Sequence, residues 1–213
     1  MGSMETCPAF ARKLSLWYNK HSAAKGEKPR NFFAIIQAHG PVGGFIMLET
    51  IRNRRSVRQF TSDPVTQEQV EKLLEAGIMA PSAMNKQPWH FIVCRDREMM
   101  ERFQTVHPYS KMLSQAPVMI LVCGDTQKQP GPHFYQQDCA ACTENILLAA
   151  QAMGLGGCWL GIPPQSEREE QIAALFGLPE HIKPFCGIAL GVPSVQPPQP
   201  ERSLHGLVHE NRW

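Results

Sequence analysis

No apolar run in this sequence approaches the roughly 18–20 residues that a helix needs to cross a bilayer. Nor is there a charged-then-apolar leader with a small-residue cleavage site. These absences favour a cytoplasmic protein with no membrane partner. Charge of one sign is missing too. With 21 Lys and Arg against 19 Asp and Glu, the net charge of +2 is too small to suggest nucleic acid, and no long Lys/Arg run exists. No G-x-G-x-x-G follows a strand and opens a helix. Gly154-Leu155-Gly156-Gly157 instead closes a helix, so a Rossmann domain is unsupported. No internal repeat is present. The 7 cysteines are odd in number and scattered. Cys94, Cys123, Cys158 and Cys186 lie in or beside apolar runs and read as small core residues of a reducing compartment.

What is there is a chain of 213 residues, 43% hydrophobic and 19% charged, enough to bury a core in one domain. Met1-Gly2-Ser3 ahead of Met4 reads as an expression scar. Residues 1–44 read as an N-terminal extension with too few apolar residues for a core of its own, broken by Gly40-Pro41-Val42-Gly43-Gly44. Residues 45–213 read as the main domain.

In that domain Phe45, Met47, Leu48 and Ile51 suggest a helix. Thr66-Gln67-Glu68-Gln69 is a capping box, followed by Val70, Leu73, Leu74 and Ile78 at helical spacing. Trp89–Cys94 is a short strand, Asp96 to Thr105 a helix, and Pro117–Cys123 a strand buried on both faces. His133 to Met153 is a long Ala-rich helix, and Cys158-Trp159-Leu160 opens another strand. Ser166-Glu167-Arg168-Glu169 is a second capping box, Gly177 closes its helix, and Phe185 to Val192 is the last strand before a Pro-rich tail. Strands separated by helices, without a dinucleotide fingerprint, predict an α+β domain with a mixed central sheet flanked by helices.

Two segments carry the chemistry. Arg54-Arg55-Ser56-Val57-Arg58 sets forked cationic donors around a hydroxyl, a natural grip for phosphate. The bland alternative is a solvated basic stretch at a helix end. Arg54 and Arg58 share a face if the segment is helical. The second segment, Ala80-Pro81-Ser82-Ala83-Met84-Asn85-Lys86-Gln87-Pro88-Trp89, can present amides to a flat polar heterocycle; alone it is a loop before a strand. With Gly154-Leu155-Gly156-Gly157 and Trp159 following, and Arg202 after the last strand, these motifs occur in the order of a known family. Together they resemble the nitroreductase family of FMN-dependent oxidoreductases, over roughly residues 45–213.

The resemblance implies a nitroreductase-like fold, an intertwined homodimer, and FMN sites at its interface. It puts Arg54 and Ser56, with Arg55 in the same cluster, on the FMN phosphate, and Arg58 near N1 and O2 of the ring. There a cation favours the charge that accumulates on reduction. It sends the loop Pro81, Ser82, Ala83, Met84 and Asn85 to the flavin of the other subunit, Asn85 bonding the ring. It lays Leu160, Gly161 and Ile162 along one flavin face, with backbone N–H groups near N5, and closes Arg202 on the phosphate; Lys183 is a weaker competitor. No catalytic side chain and no metal is implied, because flavin N5 carries the chemistry. NADH or NADPH would donate, and a small acceptor such as a nitroaromatic, quinone or flavin would then accept, by a ping-pong mechanism. The short segment between Arg97 and Gln115 suggests an open pocket.

Alternatives stay open: an FMN-binding sensor or storage protein without useful turnover, or a non-flavin protein whose basic cluster binds another phosphorylated ligand. Cys139-Ala140-Ala141-Cys142 resembles a redox pair or half a zinc site, but lacks partners and lies in the long helix. His205 and His209 read as surface residues. His107-Pro108-Tyr109 is either a plain loop or a substrate contact.

Overall fold

Thr66 shows how locally written this fold is. Its hydroxyl accepts from Gln69 N–H while the Gln69 side chain accepts from Thr66 N–H, and this reciprocal cap starts helix α2, Gln67–Ile78. The computed structural model describes residues 42–131 and 134–213, with side chains from Met47 onward. Helix α1, Val42–Asn53, begins earlier than the apolar spacing from Phe45 suggests and takes in Gly43 and Gly44. The proposed extension over residues 1–44 falls almost wholly outside the described residues. Residues Thr50–Trp213 form one compact unit.

Within that unit follow β1 (Trp89–Cys94), α3 (Arg97–Val106), β2 (Val118–Asp125), α4 (Phe134–Ala152), β3 (Gly156–Gly161), α5 (Glu167–Phe176) and β4 (Ile182–Gly191). Asp96 caps α3 by accepting from Met99 N–H, and Ser166 caps α5 by accepting from Glu169 N–H. The box at Ser166 is half formed, because the Glu169 carboxylate reaches the Gln165 N–H instead. Gly177 ends α5 in the left-handed conformation, φ 62°, the usual role of glycine there.

The named strands form a sheet in the order β1-β2-β4-β3, every pair antiparallel. The parallel element among the described residues is the isolated bridge Ser56–Gly157, so the sheet is mixed only there. The architecture is α+β. Alternation along β2 explains why its sequence is apolar throughout. Val118, Ile120 and Val122 face a core built with α2 and α4, through Leu73, Cys142 and Ile146. Met119, Leu121 and Cys123 face a second core with Met100, Phe103 and Ile172 from α3 and α5. Every β2 residue is buried, as a central strand covered on both faces requires. β3 lies at the edge, with Cys158 and Leu160 inward to the second core. No helix among the described residues is long and apolar enough to cross a membrane.

Candidate functional site

The basic cluster lies on an extended chain, not on a helix as its spacing alone allows. α1 stops at Asn53, and the Arg54 N–H bonds back to Thr50 O at 3.0 Å. The chain then runs along the outer edge of β3, with Val57 N–H donating to Gly157 O at 3.0 Å. Side chains of an extended chain alternate. Val57 is buried, 1% exposed, while Arg54, Ser56 and Arg58 share the opposite parity. The close spacing that suggested one helical face therefore holds for a different reason. Arg55 points elsewhere: its guanidinium donates to the carbonyls of Arg52 (2.6 Å), Arg54 (2.7 Å) and Pro198 (3.1 Å), closing the end of α1 and tying down the tail. Arg54 Nε pairs with Glu144 of α4 at 3.2 Å. Arg58 donates to Ser56 O at 3.3 Å and stays exposed.

At the far end of β3, the Ile162 N–H is committed to Phe185 O at 3.1 Å. Ladder alternation then turns Leu160 N–H toward β4 and Gly161 N–H outward. Of the residues Leu160, Gly161 and Ile162, only Gly161 offers an outward donor. A Cβ on Gly161 would find only Trp159 Nε1, at 3.9 Å, so the face of the strand is open there. The outward Gly161 carbonyl is taken by His107, whose Nε2 lies 2.9 Å away.

Arg58, Leu160, Gly161 and His107 border one cleft of about 730 Å³, and Arg54, Arg55 and Ser56 are not among its lining residues. Trp159, Tyr109 and Lys111 also line it. No carboxylate is among its lining residues. Ile162 borders a separate cavity of about 190 Å³ beside Tyr135 and Phe185. His107 is 2% exposed, and its ring stacks on Phe103 at 5.5 Å. Burial holds its imidazole below the usual range; the Gly161 bond opposes that shift, and Arg168 adds to it.

The loop Pro81–Asn85 is a strained turn. Met84 (φ 53°), Asn85 (φ 54°) and nearby Gln87 (φ 48°) are non-glycine residues in the left-handed region, which costs about 1–3 kcal/mol each. Buried polar groups hold it. Asp138 Oδ1 accepts from Ala83 N–H at 2.9 Å, and Gln129 Nε2 donates to Ala83 O at 3.1 Å. Ser82 Oγ accepts from Gln87 N–H at 2.9 Å, and Asn85 Oδ1 accepts from Gln87 Nε2 at 3.0 Å. Asn85 is exposed and does not line the cleft that holds Arg58. Arg202 is exposed on the tail and borders neither cavity.

Sequence reading missed Asp138, Gln129 and the role of His107. A buried Asp inside an apolar helix was the available signal for the first. The Cys139/Cys142 pair behaves as core. Both thiols are fully buried, and burial pushes Cys142 up to about 12 and Cys139 higher still. No group of three or more His, Cys, Asp or Glu able to hold a metal exists among the described residues.

The pattern of the nitroreductase family matches residues 51–192. The chain belongs to the nitroreductase family. It is 42% identical over 178 residues, 84% of its length, to a protein of Methanothermobacter thermautotrophicus provisionally named NADH dehydrogenase/NAD(P)H nitroreductase, covering 93% of that relative. It resembles a provisionally named nitroreductase from Desulfovibrio desulfuricans solved with FMN: TM-score 0.69, 34% identity, covering 78% of this chain and 97% of that one. It also resembles the NADPH:FMN oxidoreductase of Vibrio harveyi solved with NAD+: TM-score 0.70, 29% identity, covering 79% and 78%. The family match spans the Arg cluster, the Asn85 loop and β3, and stops before Arg202.

Proposed function

We propose that this chain is an FMN-dependent oxidoreductase that takes electrons from NADH or NADPH and passes them to small acceptors. The observation that carries the reading is the cleft in which Arg58 and the outward Gly161 N–H meet without an opposing carboxylate. Its donors fit a planar heterocycle that gains negative charge on reduction, as the ring of FMN does. When bound, FMN would supply the hydride-accepting chemistry.

The chain's own groups bind, orient and tune. Arg54 keeps its Nη groups for the phosphate while Glu144 holds Nε, and the Ser56 hydroxyl lies on the same side of the chain. Arg58 would stabilise the charge that develops at N1 and O2. The Gly161 N–H would serve N5. Arg202 would close on the phosphate from the tail. Arg55 acts indirectly, by fixing the carbonyls around Arg54.

Asn85 serves the cleft of a second copy, which makes the working unit a homodimer. In support, Asn85 lies away from its own chain's cleft, and Leu204, Leu207, Val208 and Trp213 are exposed along the tail. A reducing compartment such as the cytoplasm suits the described cysteines, which are free buried thiols.

Initial rates at several fixed donor concentrations test the mechanism. Parallel double-reciprocal lines are expected for donor and acceptor using one site in turn; lines that intersect would reject that order. Slow turnover with nitroaromatics, quinones and flavins alike would favour the sensor reading. Sedimentation of the FMN-loaded protein should show a dimer carrying FMN on both chains, and a loaded monomer would remove the role given to Asn85.

A further inference from the structure

We propose that His107, through its hydrogen bond to the Gly161 carbonyl, is the positioning residue that aims the Gly161 N–H at the flavin. The proposal rests on the flavin reading above. Gly161 is where β3 is least constrained. It has no side chain, a Cβ there would meet almost nothing, and β3 is an edge strand. The segment that pairs along its outer side reaches Gly157. At Gly161 the outer partner is His107 alone among the described residues. The Ile162 N–H anchors the following peptide to Phe185 O, and His107 holds the same peptide by its carbonyl. The Leu160–Gly161 peptide, which carries the Gly161 N–H, is oriented by the pairing of Leu160 with Gly187, and with the next peptide held from both sides the torsions of Gly161 between them are restrained.

His107 is itself well held. Its N–H donates to Phe103 O at 2.9 Å at the end of α3, its carbonyl accepts from Ser110 Oγ at 2.6 Å, and its ring lies between Phe103 and Tyr109. A carbonyl only accepts, so Nε2 carries the proton. Nδ1 is buried without a hydrogen-bond partner. A second proton there would be unsatisfied, and Arg168 of α5 disfavours it further. Arg58 and Lys111 are the charged residues lining the cleft, and both are cations. The neutral Nε2–H tautomer is the working form. An N–H fixed on N5 draws electron density from the atom that receives hydride, and a wandering one does not.

Two variants separate this role from packing. His107→Phe keeps the stack on Phe103 and loses the donor; His107→Gln replaces the ring with an amide that can donate. Anaerobic reduction of bound FMN by saturating NADH or NADPH should slow about tenfold in His107→Phe, less than outright loss of a donor, because the N–H remains but loses its aim. FMN affinity and the KM for the nicotinamide should stay within about twofold. His107→Gln should recover most of the rate. A His107→Phe protein reduced as fast as wild type, or a Gln variant as slow as Phe, overturns the proposal.

If His107→Phe does not fold, ¹⁵N-imidazole spectra of the wild type decide. A neutral Nε2–H ring at pH 7 with slow proton exchange is expected; an Nδ1–H ring or an imidazolium overturns it. A wild type that takes up no FMN would sink the flavin reading and this proposal together. A loaded wild type beside an unimpaired His107→Phe sinks the proposal alone.

Discussion

Arg54 and Arg58 have the same charge on the same side of one extended segment, and the account gives them different work. Arg54→Ala should weaken FMN binding by about 1.5–3 kcal/mol, the value of one charge-assisted contact. The lost pair with Glu144 adds little, since both side chains are partly exposed. Arg58→Ala should lower the flavin reduction potential more than it lowers affinity. Equal losses of affinity with unchanged potentials would refute that division. His107 carries a second prediction. Its folded pKa is lowered, so folding favours the neutral ring. Its contribution to stability is complete above the unfolded value of about 6.5 and is lost as pH falls from there through the folded value. Between pH 7 and pH 5 the wild type should lose more thermal stability than His107→Gln; equal losses would contradict the buried neutral ring. At this scale the sequence displayed the charged candidates, because Arg clusters are visible without a fold. It could not display His107, whose meaning depends on a carbonyl 54 positions away.

The elements place these residues by close approach. A Cβ on Gly156 would lie 2.7 Å from Val57 Cγ2 and 2.9 Å from Pro193 Cγ. Val57 is the buried residue between Ser56 and Arg58, so displacing it moves both. Gly156→Ala should cost about 1–3 kcal/mol and weaken FMN binding; an unchanged urea midpoint would contradict this packing. The Asn85 loop depends on α4 in the same way. Asp138→Ala leaves the Ala83 N–H without its acceptor, against a backbone already strained at Met84 and Asn85. Amide exchange over residues 82–87 should accelerate in that variant, and unchanged protection would show that the strain is held elsewhere. Caps and apolar runs made α2, α3, α4, β1 and β2 legible, since their signals are local. The starts of β3 and β4 were less legible. Gly156 and Gly157 read as a helix terminator, yet pairing with β4 and with Val57 draws them into the sheet.

For the whole molecule, α+β was readable from strands and helices that alternate without a dinucleotide fingerprint. Antiparallel pairing throughout the sheet was not, because strand order is decided by long-range contacts that no local signal encodes. The family, too, was legible from motifs that are weak singly and specific in order. Its match over residues 51–192, taken with the site, supports the central proposal, that this chain holds FMN and reduces it with a nicotinamide. The visible absorption spectrum of the freshly purified protein, before and after NADH or NADPH is added without oxygen, tests that claim most directly. The account predicts a flavin spectrum that bleaches on addition of the donor. A colourless protein that takes up no added FMN, or a bound flavin that neither donor bleaches, would contradict it.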